Sequence, residues 1–129
     1  MSSYDLQQWY ADLNRRFFQG ELPPCDIVWS RQLTRAAGSI DVTRPLIKLS
    51  VPLLIDAFAP KSLFPPTYTV CGVDCQSSEQ ALAEILKHEM IHLRLHIKGM
   101  PCGHTAAFRA KARQVGQPKT RHGITLPTP

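Results

Sequence analysis

Residues 87–96 read KHEMIHLRLH and set His88, His92 and His96 four positions apart on what the flanking pattern predicts as one continuous helix. A helix turns once per ~3.6 residues, so all three imidazoles fall on one face. Within the stretch, His88-Glu89-Met90-Ile91-His92 is an HExxH arrangement. Histidines at i and i+4 reach a single metal ion, and the glutamate beside the first sits near the ion's open position, placed to take a proton from water. A helix carrying such a site is buried, and Leu82, Ile85, Leu86, Ile91 and Leu95 supply the apolar contacts it needs.

A catalytic zinc takes three protein ligands and keeps one position open. His96 continues the helical face, but positions i, i+4 and i+8 span about 12 Å along the axis. Zn–N bonds of about 2.0–2.1 Å cannot gather three nitrogens over that span. His104 is different: it follows the break at Gly99-Met100-Pro101, which lets the chain turn back. The expected ligands are His88, His92 and His104, with Glu89 as general base and His96 at the helix exit, near the surface or behind the ligands. Imidazole ligation together with metal abundance points to zinc rather than manganese or cobalt.

The rest of the pattern is mixed. Leu6, Trp9, Tyr10, Leu13 and Phe17 recur at helical spacing, behind a cap at Ser2 or Ser3, and Gly20, Pro23 and Pro24 end that helix. DIVWS (26–30), AGSIDV (37–42) and LIKLS (46–50) read as three strands, the last two a hairpin through Thr43-Arg44-Pro45. Ser50 caps a short helix over 51–58. Residues 59–76 read as a long proline-rich loop with room for one short strand at Tyr68–Val70. Ser77 and Gln80 form a capping box for the helix running to about Lys98, and a further helix follows from Thr105 to about Gln114. Trp9, Tyr10, Phe17 and Phe18 read as core rather than as a stacking platform for bases, and Trp29 fits either, with core the favoured reading.

At 129 residues the chain is one domain, taken here as residues 1–116, with 117–129 a basic, proline-containing, mobile tail. No apolar run approaches the ~18 residues a membrane span needs. The N-terminus lacks a signal peptide's basic start and apolar centre. These features predict a cytoplasmic protein, in a nucleoid or nucleus if it works on DNA. Cys25, Cys71, Cys75 and Cys102 are then expected as reduced thiols rather than a second zinc site, with Cys102 close enough to His104 to compete for the metal.

Charge is uneven. All ten acidic residues lie in 1–89, whereas 90–129 holds Arg94, Lys98, Arg109, Lys111, Arg113, Lys119 and Arg121 and no acid. A block of this kind suits a polyanion, or is a solvated surface offset by the acidic remainder. If the chain touches DNA, Arg109, Lys111, Arg113, Lys119 and Arg121 are the expected contacts, made to phosphates without reading sequence.

The run ALAEILKHEMIHLRLHIKGMPCGHTAAFRAKAR, with its HExxH, its later Gly103-His104 and its Phe108-Arg109 helix, resembles the SprT-like (Spartan-type) zinc metalloprotease domain. YADLNRRFFQGELP, DIVWSRQLTRAAGSI and LIKLSVPLL are similar to that family's first helix and strands. The resemblance implies a small α+β, zincin-like domain. Its parts would be an N-terminal helix, a three- to four-stranded sheet, the HExxH helix and a following helix. It implies a zinc endopeptidase with Glu89 as base and, as in several members, cleavage of proteins attached to DNA.

Two other readings remain at this point: a DNA-associated adaptor that keeps the metal fold with little proteolysis, and a zinc hydrolase of non-peptide amides. The intact Glu89 speaks against the first. For the oxyanion, Tyr68 or Arg44 is a candidate partner, and the LIKLS strand is the candidate to pair with an extended substrate.

Overall fold

The computed structural model describes residues 5–58 and 68–120. Helix α1 spans Leu6–Phe17 and is capped by Asp5, whose side chain accepts the Gln8 N–H at 3.1 Å. The cap expected at Ser2 or Ser3 lies outside the described residues. Tyr10 and Leu13 are buried on the inner face, and Phe18 follows them into the core. The return loop is held by polar bonds: the Tyr10 hydroxyl donates to the Pro23 carbonyl at 2.6 Å, and the Asn14 amide pairs both ways with the Leu22 backbone.

Strands β1 (Asp26–Ser30), β2 (Gly38–Asp41) and β3 (Leu46–Ser50) form one sheet in the order β1-β3-β2. β1 runs parallel to β3, and β2 antiparallel to it. The hairpin between β2 and β3 is tied by the Asp41 carboxylate, which accepts from the Thr43 N–H and hydroxyl and from the Arg44 N–H. Because β3 is bonded on both sides, LIKLS has no free edge for a substrate; the edge strand facing the long helix is β2. That corrects the expectation.

Ser50 accepts the Leu53 N–H at 3.1 Å and donates to the Leu33 carbonyl at 2.6 Å, so one hydroxyl both caps helix α2 (Val51–Leu54) and anchors the loop after β1. The helix expected over 51–58 is broken there, and a 3-10 turn at Asp56–Phe58 completes it. Part of the expected 59–76 loop, residues 59–67, lies outside the described residues. The remainder is a two-stranded hairpin, β4 (Tyr68–Val70) and β5 (Val73–Cys75), turning at Cys71-Gly72.

Helix α3 (Ser78–Ile97) crosses the centre and meets α1, α2, α4, β2, β4 and β5. Ser77 caps it through the Gln80 N–H, while the Gln80 side chain reaches back to the Gln76 N–H, one residue before the cap. Residues 85–91 are buried without a break, so this segment is enclosed all round, as a core helix must be. The enclosed Lys87 ammonium is satisfied by Glu84 at 3.0 Å and the Val115 carbonyl at 2.9 Å, and lies 4.8 Å from the Phe17 ring centre.

Helix α4 (Ala106–Gln114) is capped by Thr105. Residues 117–120, expected as the start of a mobile tail, are docked instead. Gln117 is buried and its amide donates to the Glu84 backbone and side chain, and the Lys119 N–H bonds the Cys71 carbonyl. Among the described residues no helix is long and apolar enough to cross a membrane.

Candidate metal centre

His88 and His92 stand one turn apart on α3, and His104 approaches from the loop just ahead of α4. One ligand-capable atom from each of the three lies within 4.8 Å of the others, a group that could hold a metal ion. His96 is exposed at the helix end and takes no part in the group, as its distance along the axis requires.

The loop that brings His104 back is shaped by the stop signals of α3. Gly99 has φ +70°, and Met100 N–H bonds the Leu95 carbonyl, so the chain reverses within one turn. The Arg109 guanidinium donates to the His104 carbonyl at 2.9 Å, and Thr105 caps α4 beside it.

The rings rest on Phe108. Its centroid is 5.1 Å from His88, 4.6 Å from His92 and 4.6 Å from His104, and it is fully buried. An apolar floor under three imidazoles restrains their rotation and keeps water off one side of the group. The opposite side is more open, since His104 is exposed and His92 half-buried while His88 is buried.

Each histidine of the α3 pair has its Nδ1 engaged. The His92 Nδ1 is hydrogen-bonded to the Cys102 carbonyl, which leaves Nε2 as the nitrogen available to a metal. Cys102, expected as a thiol competitor for the metal, thus contributes through its backbone, and its thiol turns to the Met100 carbonyl instead. The His88 Nδ1 faces the Cys71 sulfur at 3.7 Å. Burial pushes the Cys71 thiol up to about 12, with the Glu84 and Glu89 charges adding to the rise, so it stays neutral.

Glu89 is 2% exposed, and its carboxylate lies against the backbone of β2 at Gly38. A Cβ built on Gly38 would stand 3.3 Å from Glu89 Oε2 and 2.7 Å from Ile85 Cγ2, so only glycine fits where the edge strand crosses α3. Sequence reasoning missed this residue; its only signal was a glycine at the start of a predicted strand.

The basic block divides. Arg94 and Lys98 pair with Glu21, at 2.7 and 3.5 Å. Lys111 is buried, donating to the Phe17 carbonyl at 2.6 Å and to Gln114, so it is not available to a polyanion as expected. Arg109, Arg113 and Lys119 come together along one open groove with Gln117, Pro118 and Thr120. Arg121 lies outside the described residues. Of the oxyanion candidates, Arg44 is at the β2–β3 turn, paired with Asp41, and the Tyr68 side chain lies outside the described residues.

Residues 73–127 match the model of the SprT-like family. The matched span begins in β5 and takes in α3, α4 and all four residues of the HExxH-plus-His104 set. No curated protein matches the chain.

Proposed function

We propose that this chain is a zinc-dependent endopeptidase of the SprT-like kind, in which His88, His92 and His104 hold the metal and Glu89 is the general base. The convergence of the three imidazoles from two separate elements is the observation that carries the reading. Three neutral nitrogen donors with an open side suit a catalytic zinc better than a closed structural one.

When bound, zinc supplies Lewis acidity towards a peptide carbonyl and towards water. The chain supplies the rest. The Glu89 carboxylate accepts a proton as water adds to the carbonyl carbon, and returns it to the amine as the C–N bond breaks. An extended substrate pairs with the outer edge of β2, the edge strand of the sheet among the described residues, which crosses α3 at Glu89, through backbone N–H and C=O groups. Phe108 and the Cys102 carbonyl hold the imidazoles in register, so geometry is set before substrate arrives.

The substrates we propose are proteins attached to DNA, supported by the groove of Arg109, Arg113 and Lys119, which Arg109 joins to the His104 loop. The test is cleavage of a DNA-binding protein by the zinc-loaded chain, with and without single-stranded DNA, using Glu89→Gln as the blank. Cleavage that requires DNA supports the full reading, and equal cleavage without DNA leaves a general zinc peptidase. No cleavage in either lane favours the adaptor that retains the metal fold.

A further inference from the structure

The tip of the β4–β5 hairpin has an unusual composition for its geometry. Cys71 and Gly72 both have positive φ, 52° and 81°, between the paired Val70 and Val73. Two consecutive left-handed residues in a two-residue loop are the signature of a type I′ turn, whose first position favours Asn, Asp or Gly. A cysteine there is strained, and its side chain is fully buried.

The surroundings hold that tip in place. The Lys119 N–H bonds the Cys71 carbonyl at 3.2 Å, and a Cβ on Gly72 would stand 2.6 Å from Pro118 Cγ. The segment after α4 therefore presses the turn onto α3, and the strained residue delivers its sulfur to His88 Nδ1 at 3.7 Å. Unfavourable backbone conformations persist where neighbouring structure enforces them, often beside functional groups.

We infer that Cys71 is a positioning residue of the metal centre: its sulfur accepts the Nδ1–H of His88 and fixes the tautomer that leaves Nε2 for the metal. The inference rests on the reading of His88, His92 and His104 as that centre. A ligand histidine commonly donates its second N–H to an oxygen acceptor, as His92 does to the Cys102 carbonyl. At the fully enclosed His88 side a carboxylate would carry an unpaired charge into the core, whereas a thiol is small and tolerates burial. The hairpin, with no counterpart in the motif, thus becomes part of the site.

Zinc affinity, read by competition with a chromogenic chelator, tests this in the wild type, Cys71→Ala, Cys71→Ser and Cys75→Ala. Cys75 is the control: it is equally buried in the same hairpin, but its thiol turns to the Val73 carbonyl. Cys71→Ala is expected to weaken zinc about tenfold. Cys71→Ser should restore most of the loss, and Cys75→Ala should leave affinity unchanged. Equal affinity in Cys71→Ala and wild type, or equal losses in Ala and Ser, overturns the inference.

Should Cys71→Ala fail to fold, histidine side-chain nitrogen NMR of the zinc-loaded wild type decides. A solvent-protected proton on His88 Nδ1 supports the assignment, and a deprotonated Nδ1 overturns it. A wild type that takes up no zinc rejects the metal centre itself, a result separable from the others.

Discussion

Gly38 of β2 lies directly beside Glu89 of α3, close enough that any side chain on the strand at that position would meet the carboxylate. A methyl on Gly38 would lie 2.7 Å from Cγ2 of the buried Ile85 and 3.3 Å from Glu89 Oε2. Ile85 is branched next to the backbone and enclosed by the core, so it cannot move aside. Gly38→Ala is expected to destabilise the fold by about 1–3 kcal/mol in denaturant melts. Peptidase activity should fall further than stability accounts for, while zinc stoichiometry is retained.

Glu89→Gln keeps the size and burial of the side chain and removes its capacity to accept a proton. Hydrolysis should drop by about 10²–10⁴-fold, the range a positioned general base contributes. Zinc content, measured by metal analysis after dialysis, should be unchanged. Loss of zinc together with activity would make Glu89 a structural residue instead.

His104→Ala and His96→Ala distinguish the two candidates for third ligand. His104 lies with the other two imidazoles and His96 is exposed beyond them. His104→Ala should lose zinc to a mild chelator, and His96→Ala should retain both zinc and activity.

Arg113→Gln with Lys119→Gln removes two cations from the groove beside α4 without touching the Arg109 bond to His104. Each phosphate contact contributes close to one unit to the slope of log K against log salt. On single strands the contribution is about 0.7 each, so the double variant should bind single-stranded DNA more weakly, with that slope reduced by about 1.4. Cleavage of a DNA-independent peptide should not change.

Alkaline stability follows from buried thiols. Burial raises Cys25 and Cys75 from 9.0 to about 11 in the folded chain. The folded state keeps these protons where the unfolded state has lost them, so their contribution is intact below pH 9 and is lost between pH 9 and 11. Each therefore weakens the folded state progressively over that range, by at most about 1.4 kcal/mol per pH unit. Lys111, whose burial lowers its ammonium, works in the opposite direction, but the thiols outnumber it. Thermal melts should fall steeply above pH 9, and less steeply in Cys25→Ala.

The local elements were legible because their signals are local. Thr105 and Ser77 cap their helices through side-chain bonds spanning three residues, and Gly99 stops α3 with a positive φ. The β4–β5 hairpin was less legible, since a cysteine stands where an asparagine would have announced a type I′ turn. Lys111 was misread for a different reason: charge in a sequence says nothing of the carbonyl at Phe17, 94 residues away, that its ammonium meets.

By itself the sequence determined the spacing of His88, Glu89 and His92, and through the 3.6-residue period their shared helical face. It also excluded His96 from a common ion, because axial rise is a property of any straight helix. Only the tertiary structure decided which groups surround that face: Phe108 under the rings, the Cys102 carbonyl and Cys71 sulfur at the two Nδ1 atoms, and Gly38 against Glu89. The contacts made to α3 join residues 10 to 51 positions apart, and such pairings are set by how helices and strands pack together rather than by any pattern along the chain.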